Sequence, residues 1–256
     1  MGRLEGRVAI VTGAADGERA AIGAAYARAL AAEGAMVTVA DVLDPSSVVA
    51  DIEAAGGRAI GVIADVSNEA QVKSMVVRTV DEFGRLDVLI NNAGIGSNIP
   101  PIPVEDMSAE VWDELMAVNV RGPFLCVKAA VPVMRRQGYG KIVNVGSATM
   151  FSGLPNRLHY VTAKGAIYAM TRALAVELGS YGIRVNTIAY GLIANPVTDA
   201  EFAAHPEKRA AILGARALGD HVGTDDLVGM LIHLASGESD AMTGQCLVID
   251  GGDVFN

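Results

Sequence analysis

Short apolar runs rich in β-branched residues alternate with longer helix-forming segments along the chain, and no other feature restricts the possible folds as strongly. The first unit has a strand over 7–12, a glycine turn at Gly13, an Ala-rich helix over 22–33 and a second strand over 36–40. Strands that alternate with helices in this way imply right-handed crossovers and a parallel sheet. The sequence therefore predicts an α/β fold, with a doubly wound parallel sheet and helices on both faces.

The alternation continues to the end of the chain and predicts about seven strands in all. Further strands are expected over 59–64, 88–90, 141–145, 184–188 and 246–249, and further helices over 46–55, 69–83, 108–137, 158–178 and 224–235. In open sheets of this kind, ligands bind outside the carboxyl ends of the strands. Those ends carry the candidate residues Gly13, Asp41, Asp65, Asn91, Ser147 and Tyr190.

Length and composition favour one domain without a nucleic-acid partner. The 256 residues suit a single large α/β domain, and no linker-like segment divides 1–256. Hydrophobic residues make up 51% of the chain and charged residues 19%, which suits strands that are buried on both faces. The net charge of -9, with no cluster of Lys and Arg, argues against a nucleic-acid surface.

Secretion, membrane attachment and metal binding are not expected. The first residues lack the apolar core of a signal peptide, and no run approaches the ~18 uncharged apolar residues of a membrane span. The cysteines and the separate histidines show no metal-ligand spacing; they are Cys126, Cys246, His205, His221 and His233. We expect a cytoplasmic protein that holds no metal.

The first βαβ unit has the features of a dinucleotide-binding site. Its glycine turn leads into a helix, whose backbone N–H groups and dipole can bind a pyrophosphate. Asp41 closes the second strand, where a carboxylate can accept hydrogen bonds from ribose hydroxyls and repel a 2′-phosphate. The unit predicts a Rossmann-type domain that binds NAD in preference to NADP.

Tyr160 and Lys164 form a candidate acid/base pair within the apolar, helix-forming run 158–178. Four residues make about one helical turn, so the two side chains share a face and the ammonium can stabilise the phenolate. Taken alone, this spacing is more often an exposed helix face. Its weight comes from the surrounding motifs.

The motifs, read in order, resemble those of the classical short-chain dehydrogenase/reductase (SDR) family. The resemblance extends over essentially the whole chain and includes the thirteen-residue step from Ser147 to Tyr160. It implies hydride transfer between a nicotinamide cofactor and a secondary alcohol or its ketone. The matching segments are Thr12-Gly13, Asn91-Asn92-Ala93-Gly94, Asn119, Ser147, Tyr160-x-x-x-Lys164 and Asp250-Gly251-Gly252.

The resemblance implies a role for each of four catalytic residues. Ser147 would hydrogen-bond the substrate oxygen, and Tyr160 would exchange a proton with it. Lys164 would hold the nicotinamide ribose and bias Tyr160 toward phenolate, while Asn119 would anchor a water that relays protons to Lys164. Plainer roles exist, since Ser147 could cap backbone at a strand end and Asn119 could bond backbone carbonyls.

The resemblance also implies which residues line the cofactor. Asp65 and Val66 would flank the adenine, although Asp65 could also be only a turn residue. The complete set is Gly13, Gly17, Arg19, Ile22, Gly23, Asp41, Asp65, Val66, Asn92, Ala93, Gly94, Tyr160, Lys164, Gly191, Ile193 and Asn195.

Two segments depart from the family pattern. Between Gly13 and Gly23 about four residues are inserted, so either Ala21 replaces the middle glycine, or Gly17 does and 18–21 bulge outward. The acidic residues of this insertion, Asp16 and Glu18, would be unfavourable beside a pyrophosphate unless they point to solvent, whereas Arg19 could contact a phosphate. After the sixth strand, Tyr190-Gly191 replaces the usual Pro-Gly, and Asn195 replaces the usual Thr.

The segment 191–219 corresponds to the family's variable substrate lid. The residues expected to line the substrate are mostly apolar: Ile95, Asn98, Met150, Phe151, Leu154, Tyr190 and Leu192. His159 lies beside Tyr160 but on another helix face, so we expect a lining or structural role. Family members commonly form tetramers, and the apolar faces of helices 108–137 and 158–178 would permit a homotetramer.

Three alternatives remain open. Within the family, the protein could be a 3-oxoacyl-thioester reductase, or a dehydrogenase of a sugar or a dihydrodiol. Outside enzymology, it could be a catalytically silent relative that binds a nucleotide.

Overall fold

Seven strands form one entirely parallel sheet. A computed structural model of the chain describes residues 2–17, 22–96, 99–194, 196–219 and 222–255. The strand order is β3-β2-β1-β4-β5-β6-β7, as predicted for a doubly wound sheet. The strands are β1 (Val8–Thr12), β2 (Met36–Asp41), β3 (Arg58–Ile63), β4 (Val88–Asn91), β5 (Gly140–Val145), β6 (Ile183–Tyr190) and β7 (Cys246–Ile249).

Ten α-helices connect or follow the described strands. Four elements have the bounds that the sequence predicted, namely α3, α7, α10 and β7, and most others differ by one or two residues. The helices are α1 (Ile22–Ala32), α2 (Ser46–Ala54), α3 (Glu69–Phe83), α4 (Ala109–Met116), α5 (Gly122–Gln137), α6 (Thr149–Ser152), α7 (Leu158–Leu178), α8 (Pro196–Ala204), α9 (Pro206–Ala215) and α10 (Thr224–Ala235).

The sheet separates two hydrophobic cores. Ala9 and Val11 of β1 point into the core that contains α1, α2 and α10, whereas Ile10 points into the core that contains α3 and α5. Successive side chains of a strand face opposite sides, so a strand covered on both faces must be apolar throughout. This is why β1 is a continuous apolar run.

Capping residues explain the sharp bounds of α3. The Asn68 side chain accepts hydrogen bonds from the backbone N–H groups of Ala70 at 3.1 Å and Gln71 at 3.2 Å. At the other end, Gly84 adopts the left-handed conformation with φ of 80°, which glycine enters without a steric penalty. Both signals are local, and the sequence therefore predicted this helix well.

The single long helix predicted over 108–137 is wrong in its centre. A π-helical turn, Ala117–Arg121, separates α4 from α5. The extra residue in such a turn rotates the side chains that follow, and π-turns often occur at functional sites. Asn119 lies in this turn and is 2% exposed.

The helical run Ala109–Gln137 is long and apolar enough to cross a membrane, judged by length and composition among the described residues. The run still contains the charged residues Arg121 and Lys128, so it is not an uncharged apolar stretch of the length considered above. The run includes α5, whose side chains Leu125, Cys126, Ala130 and Met134 pack in the core beneath the sheet. A core helix passes the same test, so this helix alone is weak evidence for a membrane.

The connection after β6 contains two short helices, α8 and α9, that the sequence analysis did not predict. Ile193 and Val222, at either end of this connection, form an isolated parallel bridge. The Ala194 N–H also donates to the Val222 carbonyl at 2.9 Å. The segment 191–219 therefore leaves the sheet and returns to it at nearly the same place.

Candidate active site

The ends of β1 and β4 are clamped together at the point where the strand order reverses. The Thr12 hydroxyl accepts hydrogen bonds from the N–H groups of Asn92 and Ala93, both at 3.1 Å. The Asn92 side chain in turn donates to the carbonyls of Thr12 at 3.0 Å and Gly13 at 2.8 Å. Gly13 has φ of 65°, and a Cβ there would lie 2.6 Å from the Cα of Ala93, so only glycine fits.

Asp41 holds the glycine loop at the end of β2. One carboxylate oxygen accepts from the N–H of Ala15 at 2.9 Å, and the other accepts from the N–H of Leu43 at 3.1 Å. Because each carboxylate oxygen can accept two hydrogen bonds, the side chain keeps capacity for further donors such as ribose hydroxyls. Asp41 is therefore placed where the sequence predicted.

Asp16, the first acidic residue of the insertion, is paired rather than free. It accepts from the Arg28 guanidinium at 2.8 Å and from the Ser47 hydroxyl at 2.9 Å, and Arg28 also contacts Asp51 at 2.7 Å. Partial burial opposes ionisation of Asp16, but the hydrogen bonds from Arg28 and Ser47 outweigh it and lower its pKa. The pairing ties this loop to α1 and α2, and the single charge of Arg28 is shared between Asp16, whose side chain is 42% exposed, and Asp51.

The remaining part of the insertion is only partly described. Glu18, Arg19 and Ala21 lie outside the described residues, and so does the choice between Ala21 and Gly17 as the middle glycine. A Cβ on Gly23 would lie 2.1 Å from the Gly13 carbonyl oxygen, whereas no atom lies within 4 Å of a Cβ built on Gly17. Gly23 is therefore the close-packing glycine at the start of α1. This is the place that the sequence analysis gave to the last glycine of the motif.

These features fit a dinucleotide. The α1 helix begins at Ile22 with no acidic residue in its first turn, so its positive end is not compensated there. The open space at Gly17 lies on the same loop, and the Asp41 carboxylate closes the neighbouring strand. An anion-binding helix end beside a hydroxyl-accepting carboxylate matches the two polar parts of an adenine dinucleotide.

Asp65 and Val66 have evident structural contacts. The Asp65 carboxylate accepts from the N–H of Ser67 at 2.8 Å, which is the turn role considered above. Val66 is 6% exposed, and a Cβ on Gly122 would lie 2.8 Å from it. Val66 thus packs against the start of α5.

Asn119 makes two hydrogen bonds to the backbone of Ile95, the loop residue that follows the Asn-Asn-Ala-Gly segment. Its side-chain oxygen accepts from the Ile95 N–H at 2.8 Å, and its amide donates to the Ile95 carbonyl at 2.6 Å. These bonds match the plainer of the two roles considered for Asn119, and the water-relay role stays a prediction. It fixes the position of the loop in front of Tyr160.

Ser147, Tyr160 and Lys164 come together at the carboxyl end of β5. Ser147 is 4% exposed and lies close enough to the Tyr160 phenol to lower its pKa. The Lys164 ammonium lies 5.7 Å from the centre of the Tyr160 ring and donates to the Val145 carbonyl at 2.8 Å. The side chains predicted to do chemistry are thus neighbours, in the arrangement that one helical turn predicts.

The pKa of Tyr160 differs from the expectation. Burial raises it above the usual phenol value, and this effect exceeds the lowering by the hydrogen bond to Ser147 and by the charge of Arg157. Burial also lowers the pKa of Lys164 to about 8. Lys164 donates to a backbone carbonyl, and its charge is not among the causes of the Tyr160 pKa shift, so the bias of Tyr160 toward phenolate stays a prediction.

Arg157 is a residue that the sequence analysis missed. Its guanidinium donates to the Gly96 carbonyl at 2.7 Å and also to the Ile99 carbonyl. A Cβ on Gly96 would lie 2.3 Å from the Tyr160 ring, so the tethered loop covers that ring closely. No motif marks Arg157; the only available signal was a cation three residues before the tyrosine.

Tyr190 and His159 complete the surroundings of Tyr160. Burial, followed by the nearby phenols Tyr160 and Tyr26, raises the pKa of Tyr190 well above its usual value. His159 is fully buried, and burial together with Arg157 lowers its pKa, so the ring is neutral. Neither of its ring nitrogens has a hydrogen-bond partner among the described residues, which costs free energy in a buried site.

The predicted substrate-lining residues differ in exposure. Ile95, Met150 and Phe151 are half-buried, and the Phe151 ring packs edge-on against Tyr168 with centres 5.7 Å apart. Leu154 and Leu192 are 46% and 40% exposed. Gly191 packs against Asp250, and Ile193 is buried at the bridge to Val222. Asn98 and Asn195 lie outside the described residues.

An open cavity of about 440 Å³ lies between α8 and α9, and none of its lining residues was predicted to contact substrate: Asp199, Phe202, Ala203, Pro206 and Arg209. Within the described parts of the chain, no group of three His, Cys, Asp or Glu side chains is arranged to hold a metal ion.

Comparisons with known proteins agree with this geometry. A family model described as enoyl-(acyl carrier protein) reductase matches residues 13–253. The (2S)-[(R)-hydroxy(phenyl)methyl]succinyl-CoA dehydrogenase subunit of Thauera aromatica is 38% identical, with 97% of each chain covered. Cyclopentanol dehydrogenase of Comamonas testosteroni is 37% identical, with 100% of each chain covered.

A 3-oxoacyl-[acyl-carrier-protein] reductase of Thermotoga maritima is 36% identical over 99% of this chain and 100% of its own. Among solved structures, a candidate short-chain alcohol dehydrogenase from Sinorhizobium meliloti 1021 has a TM-score of 0.90 and 33% identity, with 98% of this chain and 97% of that chain covered. With this strand order, this site and relatives matched over their whole lengths, the chain belongs to the short-chain dehydrogenase/reductase family of oxidoreductases.

Proposed function

We propose that the protein is an NAD(H)-dependent oxidoreductase that interconverts a secondary alcohol and its ketone. The observation that carries the proposal is that Ser147 lies near enough to Tyr160 to lower its pKa, with the Lys164 ammonium 5.7 Å from the centre of the Tyr160 ring. Two hydroxyls that meet at a cleft can hold one substrate oxygen between them.

Each residue has a distinct task in this proposal. Tyr160 passes a proton to the ketone oxygen or takes one from the alcohol, and Ser147 hydrogen-bonds the same oxygen. Lys164 holds the nicotinamide ribose, and Asn119 keeps the loop at Ile95 in place. The bound nicotinamide ring supplies or accepts the hydride, and the protein supplies position and electrostatics.

The choice of NAD rests on the charges near the end of β2. The Asp41 carboxylate would repel a 2′-phosphate, and the Arg28 guanidinium is already paired with Asp16 and Asp51. A cation at Arg19 would offer a route to NADP, which we keep as the second candidate. Asp65 and Val66 at the adenine, and Asn92 to Gly94 along the cofactor, belong to the same proposal.

We infer a substrate with an apolar body. The wall formed by Ile95, Met150, Phe151, Leu154 and Leu192 offers no cation for a carboxylate. The relative named cyclopentanol dehydrogenase supports a cyclic or aliphatic alcohol. Two other relatives, named as a (2S)-[(R)-hydroxy(phenyl)methyl]succinyl-CoA dehydrogenase subunit and a 3-oxoacyl-[acyl-carrier-protein] reductase, keep a 3-oxoacyl thioester open. A sugar or dihydrodiol substrate has less support from this wall.

The assembly and location that we propose follow from surface and composition. We propose a homotetramer of single-domain subunits, each with a lid at 191–219, in the cytoplasm. Exposed apolar side chains on α5 and α7 support association through these helices; Phe124 is 49%, Leu158 46% and Val176 87% exposed. Size-exclusion chromatography with light scattering tests the assembly.

The test of function is turnover of NAD with a panel of apolar secondary alcohols, followed by the absorbance of NADH, with Tyr160→Phe as the comparison. We expect turnover that Tyr160→Phe abolishes. Calorimetry with NAD tests the alternative that the protein is a catalytically silent relative that binds a nucleotide. A folded protein that binds nucleotide but turns over no member of the panel would favour a silent relative, and the same activity in Tyr160→Phe would refute the assigned role.

A further inference from the structure

Thr149, the first residue of α6, makes two hydrogen bonds to the side chain of Ser147. Its hydroxyl donates to the Ser147 hydroxyl oxygen at 2.9 Å, and its backbone N–H donates to the same oxygen at 3.3 Å. Neither side chain is freely exposed, since Ser147 is 4% exposed and Thr149 is half-buried. Thr149 belongs to none of the motifs on which the family assignment rests.

The number of hydrogen bonds that a serine hydroxyl can donate and accept explains the effect of these contacts. A serine oxygen carries two acceptor lone pairs and a single O–H donor. Thr149 occupies both acceptor positions, so Ser147 is left only with its donor. Its one hydrogen is therefore available for donation to an oxygen placed between Ser147 and Tyr160.

We propose that Thr149 is a positioning residue that holds Ser147 as a hydrogen-bond donor to the reacting oxygen; this rests on the proposed function. A ketone oxygen can only accept hydrogen bonds, and it therefore needs two donors, Ser147 and Tyr160. An alcohol gives its own proton to Tyr160, and its oxygen can still accept from Ser147. Ser147 is thus the donor in both directions of the reaction.

The turn that carries Thr149 is itself well fixed. The Met150 N–H donates to the Ser147 carbonyl at 3.2 Å, and the Ala148 N–H donates to the Tyr190 carbonyl at 3.0 Å. Because the backbone is held on both sides, the Thr149 hydroxyl cannot move away from Ser147 without a rotamer change, and threonine has few rotamers.

Loss of the Thr149 hydroxyl has a specific consequence. Ser147 would regain a free lone pair and could accept the Tyr160 O–H. That arrangement holds the Tyr160 proton and stabilises the neutral phenol, which raises its pKa. A residue that only filled space would produce no such change.

The test compares Thr149→Val, which keeps the shape and removes the hydroxyl, with Thr149→Ser, which keeps the hydroxyl. Thr162→Val, at an exposed position of α7, is the matched control. If Thr149→Val does not fold, Thr149→Ala takes its place.

The first readout needs no substrate. In protein with 13C-labelled tyrosine, the Tyr160 ring resonance is identified by its loss in Tyr160→Phe and followed as the pH is raised. We expect the resonance to begin to move at a higher pH in Thr149→Val, and at the wild-type pH in Thr149→Ser and in the control. If the resonance begins to move at the same pH in Thr149→Val as in the control, the proposal is overturned.

The second readout is the split between kcat and KM. We expect kcat to fall about tenfold in Thr149→Val and less than about twofold in Thr149→Ser, with little change in KM, since a tenfold loss corresponds to about 1.4 kcal/mol. Equal loss in both variants would indicate packing and overturn the proposal. If the wild type itself turns over no substrate, the proposed function fails, and the tyrosine titration still decides the role of Thr149.

Discussion

The guanidinium of Arg157 is hydrogen-bonded at 2.7 Å to the carbonyl of Gly96, 61 residues away in the chain. This contact holds the loop after β4 against the ring of Tyr160. It also places a positive charge near the phenol, which lowers the pKa of Tyr160 against the larger effect of burial. One side chain therefore connects the shape of the cleft to the ionisation of its central residue.

Replacing Arg157 with Gln should weaken both effects. We expect the rising limb of the pH profile of alcohol oxidation to move to higher pH, because the phenolate that takes the proton becomes harder to form without this charge. The KM for alcohol should also rise, because the loop loses an anchor. The pH dependence of kcat/KM measures the first effect, and Arg172→Gln on the exposed side of α7 is the control. An unshifted profile would contradict the electrostatic role.

Gly96→Ala should reduce activity strongly while the protein still folds. A Cβ there would meet the Tyr160 ring at 2.3 Å, and φ of 144° is a conformation that alanine rarely adopts, so the loop or the ring must move. We expect at least a tenfold loss of kcat/KM, since small misplacements of a reacting group are costly. Circular dichroism tests whether the variant folds, and steady-state kinetics measure the loss of kcat/KM.

Gly165→Ala is the matched control for this substitution. Gly165 lies inside α7, and no atom lies within 4 Å of a Cβ built on it. We expect a gain in the free energy of unfolding of about 0.5–1 kcal/mol and no loss of activity. Comparable losses at both glycines would show that the contact with Tyr160 is not the cause.

Lys164 should make stability depend on pH between about 8 and about 10.5. Its folded-state pKa is lowered to about 8, so at intermediate pH the unfolded chain binds more protons than the folded chain, and stability rises as the pH rises. The cost below pH 8 is of the order of 3 kcal/mol, at about 1.4 kcal/mol per unit.

The measurement for Lys164 is urea denaturation of the wild type and Lys164→Met at neutral pH and near pH 10. Lys164→Met removes the buried charge but also the hydrogen bond to Val145. We expect the stability of the variant relative to the wild type to decrease as the pH rises, and its turnover to be lost. A difference that is the same at both pH values would rule out the lowered pKa.

Asp41→Asn should shift the balance of binding between the two nucleotides. An amide removes the charge that repels a 2′-phosphate, while its oxygen can still accept from the backbone N–H of Ala15 or Leu43. We expect the ratio of NAD to NADP affinity to fall about tenfold or more, equivalent to at least about 1.4 kcal/mol. Calorimetry with both nucleotides measures the ratio. Asp44→Asn, at an exposed carboxylate nearby, should leave it unchanged.

Local patterns accounted for the parts of the structure that the sequence predicted well. The continuous apolar runs required a sheet covered on both faces, and the capping residues Asn68 and Gly84 set the bounds of α3. The four-residue spacing of Tyr160 and Lys164 placed both side chains on one helix face. The order of the motifs led to the correct family, because each motif lies at the end of a strand or on the helix beside it.

Only the tertiary structure decided what these side chains contact. The π-helical turn directs Asn119 toward the backbone of Ile95, and the hydrogen bond from Arg157 to Gly96 joins segments that meet only after folding. The direction of the Tyr160 pKa shift likewise followed from burial, which spacing along a helix does not contain. Sequence determined which residues share a strand end or a helix face, because that is set by local geometry. The folded chain determined which polar groups are desolvated and which are paired, because those properties arise only when distant segments exclude water together.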